Sequence, residues 1–142
     1  MFRRSLIFAA LLFATIVGSP QTSQALDLSG TWTGQWEDFN TGHSGPLRAT
    51  FVKLTDGNYE VNFSGRFFKI IPFRYTVVLN AVEKDGKVHL SGTSNVSRRR
   101  GTFTYTAEAT DTNFVSSFVS CKDNGQFRLD RCSYAEPSCC GK

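Results

Sequence analysis

Histidine is the side chain that most often acts as a general base, and the sequence contains two, His43 and His89. His43 precedes Ser44 in a glycine-flanked loop, so a possible general base is adjacent in the sequence to a possible nucleophile. Neighbouring loop residues rarely meet in a hydrogen bond, and no third group is spaced to orient the imidazole. The pattern therefore predicts a turn-forming role for His43 and a solvent-facing position for His89.

The twelve carboxylates are the next candidates for acid–base chemistry. Most fall in predicted turns or at outward positions, whereas two-carboxylate catalysis needs an acid and a base that face one cleft. Glu37 and Asp38, at the end of the first predicted strand, are best placed to border a cleft. Because no Cys-x-x-Cys, His-x-His or acidic loop has ligand spacing, the sequence predicts no metal, no cofactor and no catalytic residue.

Arginines form two candidate anion contacts. The run Arg98-Arg99-Arg100 lies in the turn between the fifth and sixth predicted strands, and it fits either a solvated turn or a contact with an anionic surface. Three further arginines alternate with inward apolar residues and should point outward: Arg48, Arg66 and Arg74. They fit an outer stripe for anion recognition or stems that cover apolar surface.

The first 25 residues have the three-part layout of a signal peptide. Arg3 and Arg4 precede a 12-residue apolar run, Leu6 to Val17, which is shorter than the ~20 residues of a membrane-spanning helix. The small residues Ser23 and Ala25 predict cleavage after Ala25; an uncleaved anchor is the alternative. We therefore expect a secreted, periplasmic or cell-surface protein with no transmembrane segment in its mature chain.

Cleavage after Ala25 removes 25 of 142 residues, leaving 117, and it removes two arginines and no acid, so the formal charge falls from +4 to +2. That excess is too small for a phosphate-tracking face, and no nucleic-acid partner is expected. The remaining length suits one domain. We predict a signal peptide over 1–25, a β-barrel domain over 26–132 and a cysteine-containing tail over 133–142.

Short β-rich runs, separated by turn signals, fill the mature chain and predict an all-β fold. Eight strands are predicted: Thr31 to Trp36, Leu47 to Leu54, Tyr59 to Phe67, Phe73 to Glu83, Lys87 to Ser94, Thr102 to Thr110, Phe114 to Ser120 and Gln126 to Arg131. Apolar and polar residues alternate along them, as in strands with one buried face.

Turn residues fix the register of two predicted hairpins. A three-residue loop, Thr55-Asp56-Gly57, pairs inward residues such as Phe51 and Val61. A two-residue loop, Asp85-Gly86, pairs Ala81 with Leu90. Because consecutive strands are hairpin-linked, the sequence predicts a single antiparallel up-and-down barrel of about eight strands.

Gly30-Thr31-Trp32, at the start of the first strand, resembles the Gly-x-Trp opening of the lipocalin and avidin superfamily, the calycins. The resemblance implies that Trp32 plugs one end of the barrel. Compact strands and the lack of a C-terminal helix look more like avidin than a full lipocalin. Avidins also place tryptophan on later strands, and this chain has none after Trp36, so biotin binding is not expected.

The domain is also similar to small secreted planctomycete proteins whose function is not assigned. The shared runs are Thr41-Gly42-His43-Ser44-Gly45-Pro46-Leu47-Arg48, Phe63-Ser64-Gly65-Arg66-Phe67, Ile71-Pro72-Phe73-Arg74-Tyr75 and Asp123-Asn124-Gly125-Gln126-Phe127. This resemblance implies a compartment and a fold and supplies no catalytic residues.

Most aromatic side chains alternate inward, and an eight-stranded barrel is just wide enough to be filled by side chains or to hold one small ligand. So many rings favour a filled interior, whereas inward glycines and alanines leave room for a pocket at one mouth. The candidates for contact with a small hydrophobic ligand are Trp36, His43 and Arg74.

All four cysteines fall within the last 22 residues: Cys121, Cys132, Cys139 and Cys140. Disulfides are the default in an exported chain. A hairpin between Cys121 and Cys132 holds these two residues ~20 Å apart, which excludes a bond between them. We therefore predict that one tail cysteine bonds Cys121 and the other bonds Cys132; a reduced or intermolecularly linked tail is the alternative.

These features favour a secreted, non-enzymatic binding or interaction module over an enzyme. The sequence does not identify the partner; the two candidates are an anionic surface and a small hydrophobic ligand. Two alternatives remain open: a small barrel enzyme with its pocket at the mouth, near Trp36, Glu37, His43 and Arg74, and a structural component of the cell surface or envelope.

Overall fold

A computed structural model describes residues 25–97 and 101–133 of the chain. Within these residues eight antiparallel strands form one closed barrel in sequence order, and the last strand pairs with the first. The strands are β1 (Gly30–Asp38), β2 (Ser44–Lys53), β3 (Tyr59–Phe67), β4 (Ile71–Lys84), β5 (Lys87–Ser97), β6 (Gly101–Ala109), β7 (Asn113–Val119) and β8 (Asn124–Arg131). The predicted fold class, strand number and strand order are confirmed.

The predicted and observed strands differ mainly in the residues at which they begin and end. Strand β2 begins at Ser44 rather than Leu47, because Ser44 continues the ladder by pairing with Glu37. Strand β4 begins at Ile71, which pairs with Phe67. Alternation of apolar and polar residues cannot mark a strand within a polar or glycine-rich segment. Backbone pairing, in contrast, continues wherever an adjacent strand lies within hydrogen-bond distance.

Both predicted hairpins have the expected register. Gly57 takes a φ of +86°, the left-handed conformation that its loop requires, and Phe51 pairs with Val61. Asp85 and Gly86 both have positive φ angles, as a two-residue hairpin turn demands, and Ala81 pairs with Leu90. Local turn chemistry therefore fixes which residues face the core.

The core lies inside the barrel and consists of the residues that alternate inward. Two buried hydrophobic residues fall outside the predicted inward set, Leu28 and Val88. Leu28 precedes β1, where no strand pattern marks it, and it is buried because the segment leading into β1 packs against the end of the barrel.

Trp32 closes that end, as predicted. The side chain is completely buried, and its indole N–H donates to the Leu28 carbonyl at 3.0 Å. The guanidinium carbon of Arg131 lies 4.8 Å from the centre of the indole ring. The same guanidinium donates to the carbonyls of Asp27 and Ser29, which ties the end of β8 to the entry of β1. We call this the closed end of the barrel.

Candidate ligand cavity at the open end

The opposite end of the barrel holds a cavity of about 300 Å³. It lies where β1, β3, β5 and β7 end and where the next strands begin. Eight aromatic side chains line it: Trp36, Phe67, Phe73, Tyr75, Phe103, Tyr105, Phe118 and Phe127. The other lining residues are Asp38, Arg74 and Asp123. We call this feature the mouth cavity.

Aromatic rings fill the two halves of the barrel differently. At the closed end Trp32, Phe51 and Phe114 pack against one another, with ring centres 5.2–6.5 Å apart. At the open end rings also contact one another, as Phe127 does with Phe63 and Phe118 at 5.2 and 5.0 Å, but a space of about 300 Å³ remains between them. The prediction of a filled interior is therefore right for the closed half and wrong for the open half.

Trp36 forms a fixed part of the cavity wall. It is almost fully buried, and its indole N–H donates to the Arg66 carbonyl at 3.3 Å. Phe67 and Phe73 meet the indole edge-on, at 5.2 and 6.2 Å between ring centres. A buried tryptophan whose N–H is satisfied presents only apolar surface to a ligand.

A series of nearly parallel rings continues the wall across neighbouring strands. Tyr75 stacks with Phe63 at 5.2 Å and with Tyr105 at 6.3 Å, and Tyr105 stacks with Phe103 at 6.4 Å. The angles between these ring planes are 20–28°. Rings held in such an offset stack form a rigid apolar wall against which another aromatic molecule can pack.

Two phenols are the polar groups within this aromatic wall. Burial raises the pKa of Tyr105 to about 12. Burial also raises the pKa of Tyr75 well above its usual value, and interactions with Tyr105 add to this increase. Both phenols are neutral at physiological pH, and because their hydroxyl groups share a hydrogen bond, the pair keeps one O–H to donate to a ligand oxygen or nitrogen.

Alkaline pH should reveal the burial of Tyr105. The folded state holds this phenol neutral, whereas the unfolded chain loses its proton near pH 10, so the unfolded state binds fewer protons between about pH 10 and 12. The free energy of unfolding should therefore fall as the pH rises through this range. Denaturant unfolding of wild type and Tyr105→Phe measures the effect, and equal slopes in the two proteins would contradict it.

The charged residues of the cavity belong to its rim. Asp38 Oδ1 accepts the backbone N–H groups of Asn40 and Thr41, at 2.8 and 3.1 Å, and so caps the turn after β1. Asp123 belongs to the turn between β7 and β8, where its N–H donates to the Ser120 hydroxyl at 2.9 Å. Arg74 is exposed at the start of β4. A ligand would meet these charges as it enters, before it reaches the rings.

Of the three predicted ligand contacts, the structure places Trp36 and Arg74 at the mouth cavity and places His43 elsewhere. The imidazole of His43 is exposed and meets the ring of Phe68 edge-on at 4.7 Å. Glu37 points to the outer face, where it accepts the Gln126 amide at 3.0 Å. The constellation named for the enzyme alternative is therefore not assembled around one site.

His89 faces outward, as predicted. Its Nδ1 lies 3.7 Å from a carboxylate oxygen of Glu108, and both side chains are about half exposed. Hydrogen bonding and charge attraction from Lys87, which lies 3.1 Å away, lower the pKa of Glu108. The run Arg98-Arg99-Arg100 lies outside the described residues, so its anion contact stays a prediction.

One predicted disulfide is wrong, because Cys121 has a free, exposed thiol. Cys121 precedes β8 at the open end, and Cys132 follows β8 at the closed end, where its N–H donates to the Thr31 carbonyl. Eight residues of strand span ~26 Å. Two adjacent cysteines in the tail cannot bridge sulfurs so far apart. Cys132 is disulfide-bonded, and because Cys139 and Cys140 lie outside the described residues, the identity of its partner stays a prediction.

Sequence reasoning found the inward direction of seven of the eight cavity rings, all except Phe67, but missed their common role. Phe67, Tyr105 and Phe118 come from three different strands and belong to one wall only after the barrel closes. The signal that could have found them is their position, since each falls in the half of its strand that faces the open end.

Comparison with protein-family models, with curated proteins and with solved structures gave no match. The resemblances to calycins and to planctomycete proteins therefore stay predictions. Within the described residues, no group of three histidine, cysteine or acidic side chains is placed to hold a metal ion, and no helix is long and apolar enough to cross a membrane.

Proposed function

We propose that this protein is an exported, non-enzymatic binding protein whose mouth cavity takes one small, flat, largely apolar molecule. The observation that carries the proposal is an open cavity of about 300 Å³ lined by eight aromatic side chains. Cavities of ~300–1,000 Å³ with apolar walls and a few polar groups are typical of small-molecule sites. The volume lies at the lower end of that range, which favours a ligand of one or two fused rings.

The arrangement of polar groups supports the same class of ligand. Tyr75 and Tyr105 offer neutral hydroxyl groups beside the stacked rings, and the charged groups are at the rim. A fully charged ligand would lose its water shell against apolar walls without a buried counter-charge. A neutral aromatic molecule with a hydroxyl or carbonyl group keeps both kinds of contact.

Fluorescence titration with the neutral probe N-phenyl-1-naphthylamine tests this proposal. Phe73 is half-buried in the cavity wall, with its ring 4.5 Å from that of Phe67 and 6.2 Å from that of Tyr75. Phe73→Ser removes this ring, and we expect the dissociation constant to rise about tenfold, the equivalent of ~1.4 kcal/mol. Wild type should show saturable, one-site binding.

Phe114→Leu is the matched control, because Phe114 is a buried ring at the closed end and does not line the cavity. Its affinity for the probe should equal that of wild type. If wild type ignores neutral aromatic probes, or if both variants lose affinity equally, the proposed site is wrong. A probe recovered chemically altered would instead favour the small barrel enzyme over the binding protein.

A further inference from the structure

The turn between β3 and β4 exposes a compact apolar tip. Phe68, Ile70 and Ile71 have 62, 77 and 52% of their surface exposed. The other large hydrophobic residues exposed in the described part of the chain are Phe39 and five valines, and the valines lie on β2, β4 and β7. Contiguous exposed apolar side chains mark contact sites more often than isolated ones. We call Phe68, Lys69, Ile70 and Ile71 the apolar tip.

The backbone holds this tip in an unfavourable conformation. Phe68 and Lys69 have φ angles of 51° and 64°, in the left-handed region that bulky side chains avoid. The Ile70 N–H donates to the Phe67 carbonyl at 3.1 Å and closes the turn. Glycine would adopt the same backbone without this cost. Strain of this kind, at an exposed turn, points to a role for the side chains outside the fold.

Three cations lie within or beside the tip, and one of them, Arg74, also lies at the rim of the mouth cavity. Lys69 lies within it, and Arg66 and Arg74 are exposed on the two strands that the turn connects. Arg74 pairs across the ladder with Ser64, and Ser64 also pairs with Arg48 on β2. The acidic residue on β3 is Glu60, four positions from Ser64 and so ~13 Å along the strand.

We propose that the apolar tip docks on an anionic lipid surface. Phe68, Ile70 and Ile71 enter the boundary between headgroups and acyl chains, while Lys69, Arg66 and Arg74 bind the phosphates around them. Shallow insertion of a few apolar side chains, combined with cations near the surface, is the pattern of peripheral membrane binding.

Shape favours a lipid surface over a protein partner. A specific protein interface buries ~800 Å² on each partner and needs a broad complementary patch. The apolar tip is one convex turn, and the nearest exposed charged residues on β3 and β4 are Arg66 and Arg74. A bilayer adapts to such a tip, and its anionic headgroups complement the cations.

Docking in this orientation would also direct the mouth cavity toward the lipid. Phe67 and Phe73 flank the tip and line the cavity, so an apolar molecule could pass between bilayer and cavity with little exposure to water. This last step rests on the proposed function, whereas docking itself does not. Loss of probe binding and loss of vesicle binding are therefore separate results.

Co-sedimentation of the purified protein with phosphatidylglycerol/phosphatidylcholine vesicles tests the docking. We expect binding that is lost on pure phosphatidylcholine and weakens as salt shortens the Debye length from ~10 Å at 0.1 M to ~3 Å at 1 M. Phe68→Ser/Ile70→Ser should weaken binding about tenfold or more, because two buried apolar side chains are removed. Its thermal unfolding should match that of wild type, since both residues are exposed.

Phe39→Ser is the matched control, because Phe39 is an aromatic residue with 56% of its surface exposed at the same end of the barrel, follows Asp38 in the chain and lies outside the apolar tip. It should bind vesicles like wild type. Soluble glycerol phosphate should not compete, which separates a lipid surface from a free phosphate.

Four results would each overturn the proposal. These are no binding to anionic vesicles at low salt, equal losses in Phe39→Ser and the double variant, full competition by glycerol phosphate, and a loss confined to a variant with serine at Arg98, Arg99 and Arg100. The last result would transfer the anion contact to the turn between β5 and β6.

Discussion

Replacing Trp32 by alanine is expected to lower the free energy of unfolding by about 3–5 kcal/mol, the usual cost of removing a large buried aromatic ring. Trp32 is fully buried and contacts Phe51 and Phe114, with ring centres 5.6 and 6.5 Å away. Alanine also leaves the Leu28 carbonyl without its indole donor and removes the ring beneath the Arg131 guanidinium. The closed end would therefore lose packing, a hydrogen bond and a cation–π contact.

Denaturant unfolding measures this change, and Thr33→Ala is its control. Thr33 is adjacent in the chain and points away from the core, with its hydroxyl 3.6 Å from the Cys132 sulfur. Replacements at such positions usually change stability by about 0.5 kcal/mol or less. Equal losses in the two variants would contradict the role of Trp32 as the plug of the barrel.

Gly34→Ala should prevent the barrel from closing properly. A Cβ atom at Gly34 would lie 1.9 Å from the Arg128 carbonyl oxygen and 2.9 Å from its carbon. These are backbone atoms of β8, so no side-chain rotation relieves the clash. Overpacking typically costs ~1–3 kcal/mol, and a clash with backbone that cannot rotate away places this variant at the upper end of that range. The affected pair, β1 and β8, joins the first and last strands, and its separation would expose two unpaired edges.

Gly125→Ala provides an independent check on the pairing of β1 with β8, because its Cβ would lie 1.9 Å from the Glu37 carbonyl oxygen of β1. Gln35→Ala is the control, since Gln35 is an exposed residue of β1 beside Gly34. We expect both glycine variants to unfold at markedly lower denaturant concentration and to aggregate more readily, with Gln35→Ala close to wild type. If Gly34→Ala were as stable as wild type, the pairing of β1 with β8 would tolerate a methyl group at this position, and the prediction would be wrong.

The barrel itself was predictable because its determinants are local. A strand shows its two faces in consecutive residues, and a turn such as Asp85-Gly86 constrains its own dihedral angles. The pairs Phe51 with Val61 and Ala81 with Leu90 follow from these two facts. Hairpin links then leave few ways to arrange eight strands, so local patterns determine the topology.

The candidate site was only partly predictable. Alternation indicates that Phe73 and Phe114 both point inward, but it gives no distance between rings on different strands. In the structure Phe114 packs in the closed half, while Phe73 stands beside an open space. His43 has the chemistry of a site residue but lies outside the cavity, because its loop turns toward Phe68.

The strands, their inward and outward faces, two turn types and the burial of Trp32 follow from the order of residues, since each depends on neighbours in the chain. Three features become visible only in the folded barrel: the open half, the free thiol of Cys121 and the positive φ of Phe68. These features depend on how strands far apart in sequence converge. Which side chains fill the interior is determined only when the barrel has closed. The same is true of the distance at which β8 holds Cys121 from Cys132.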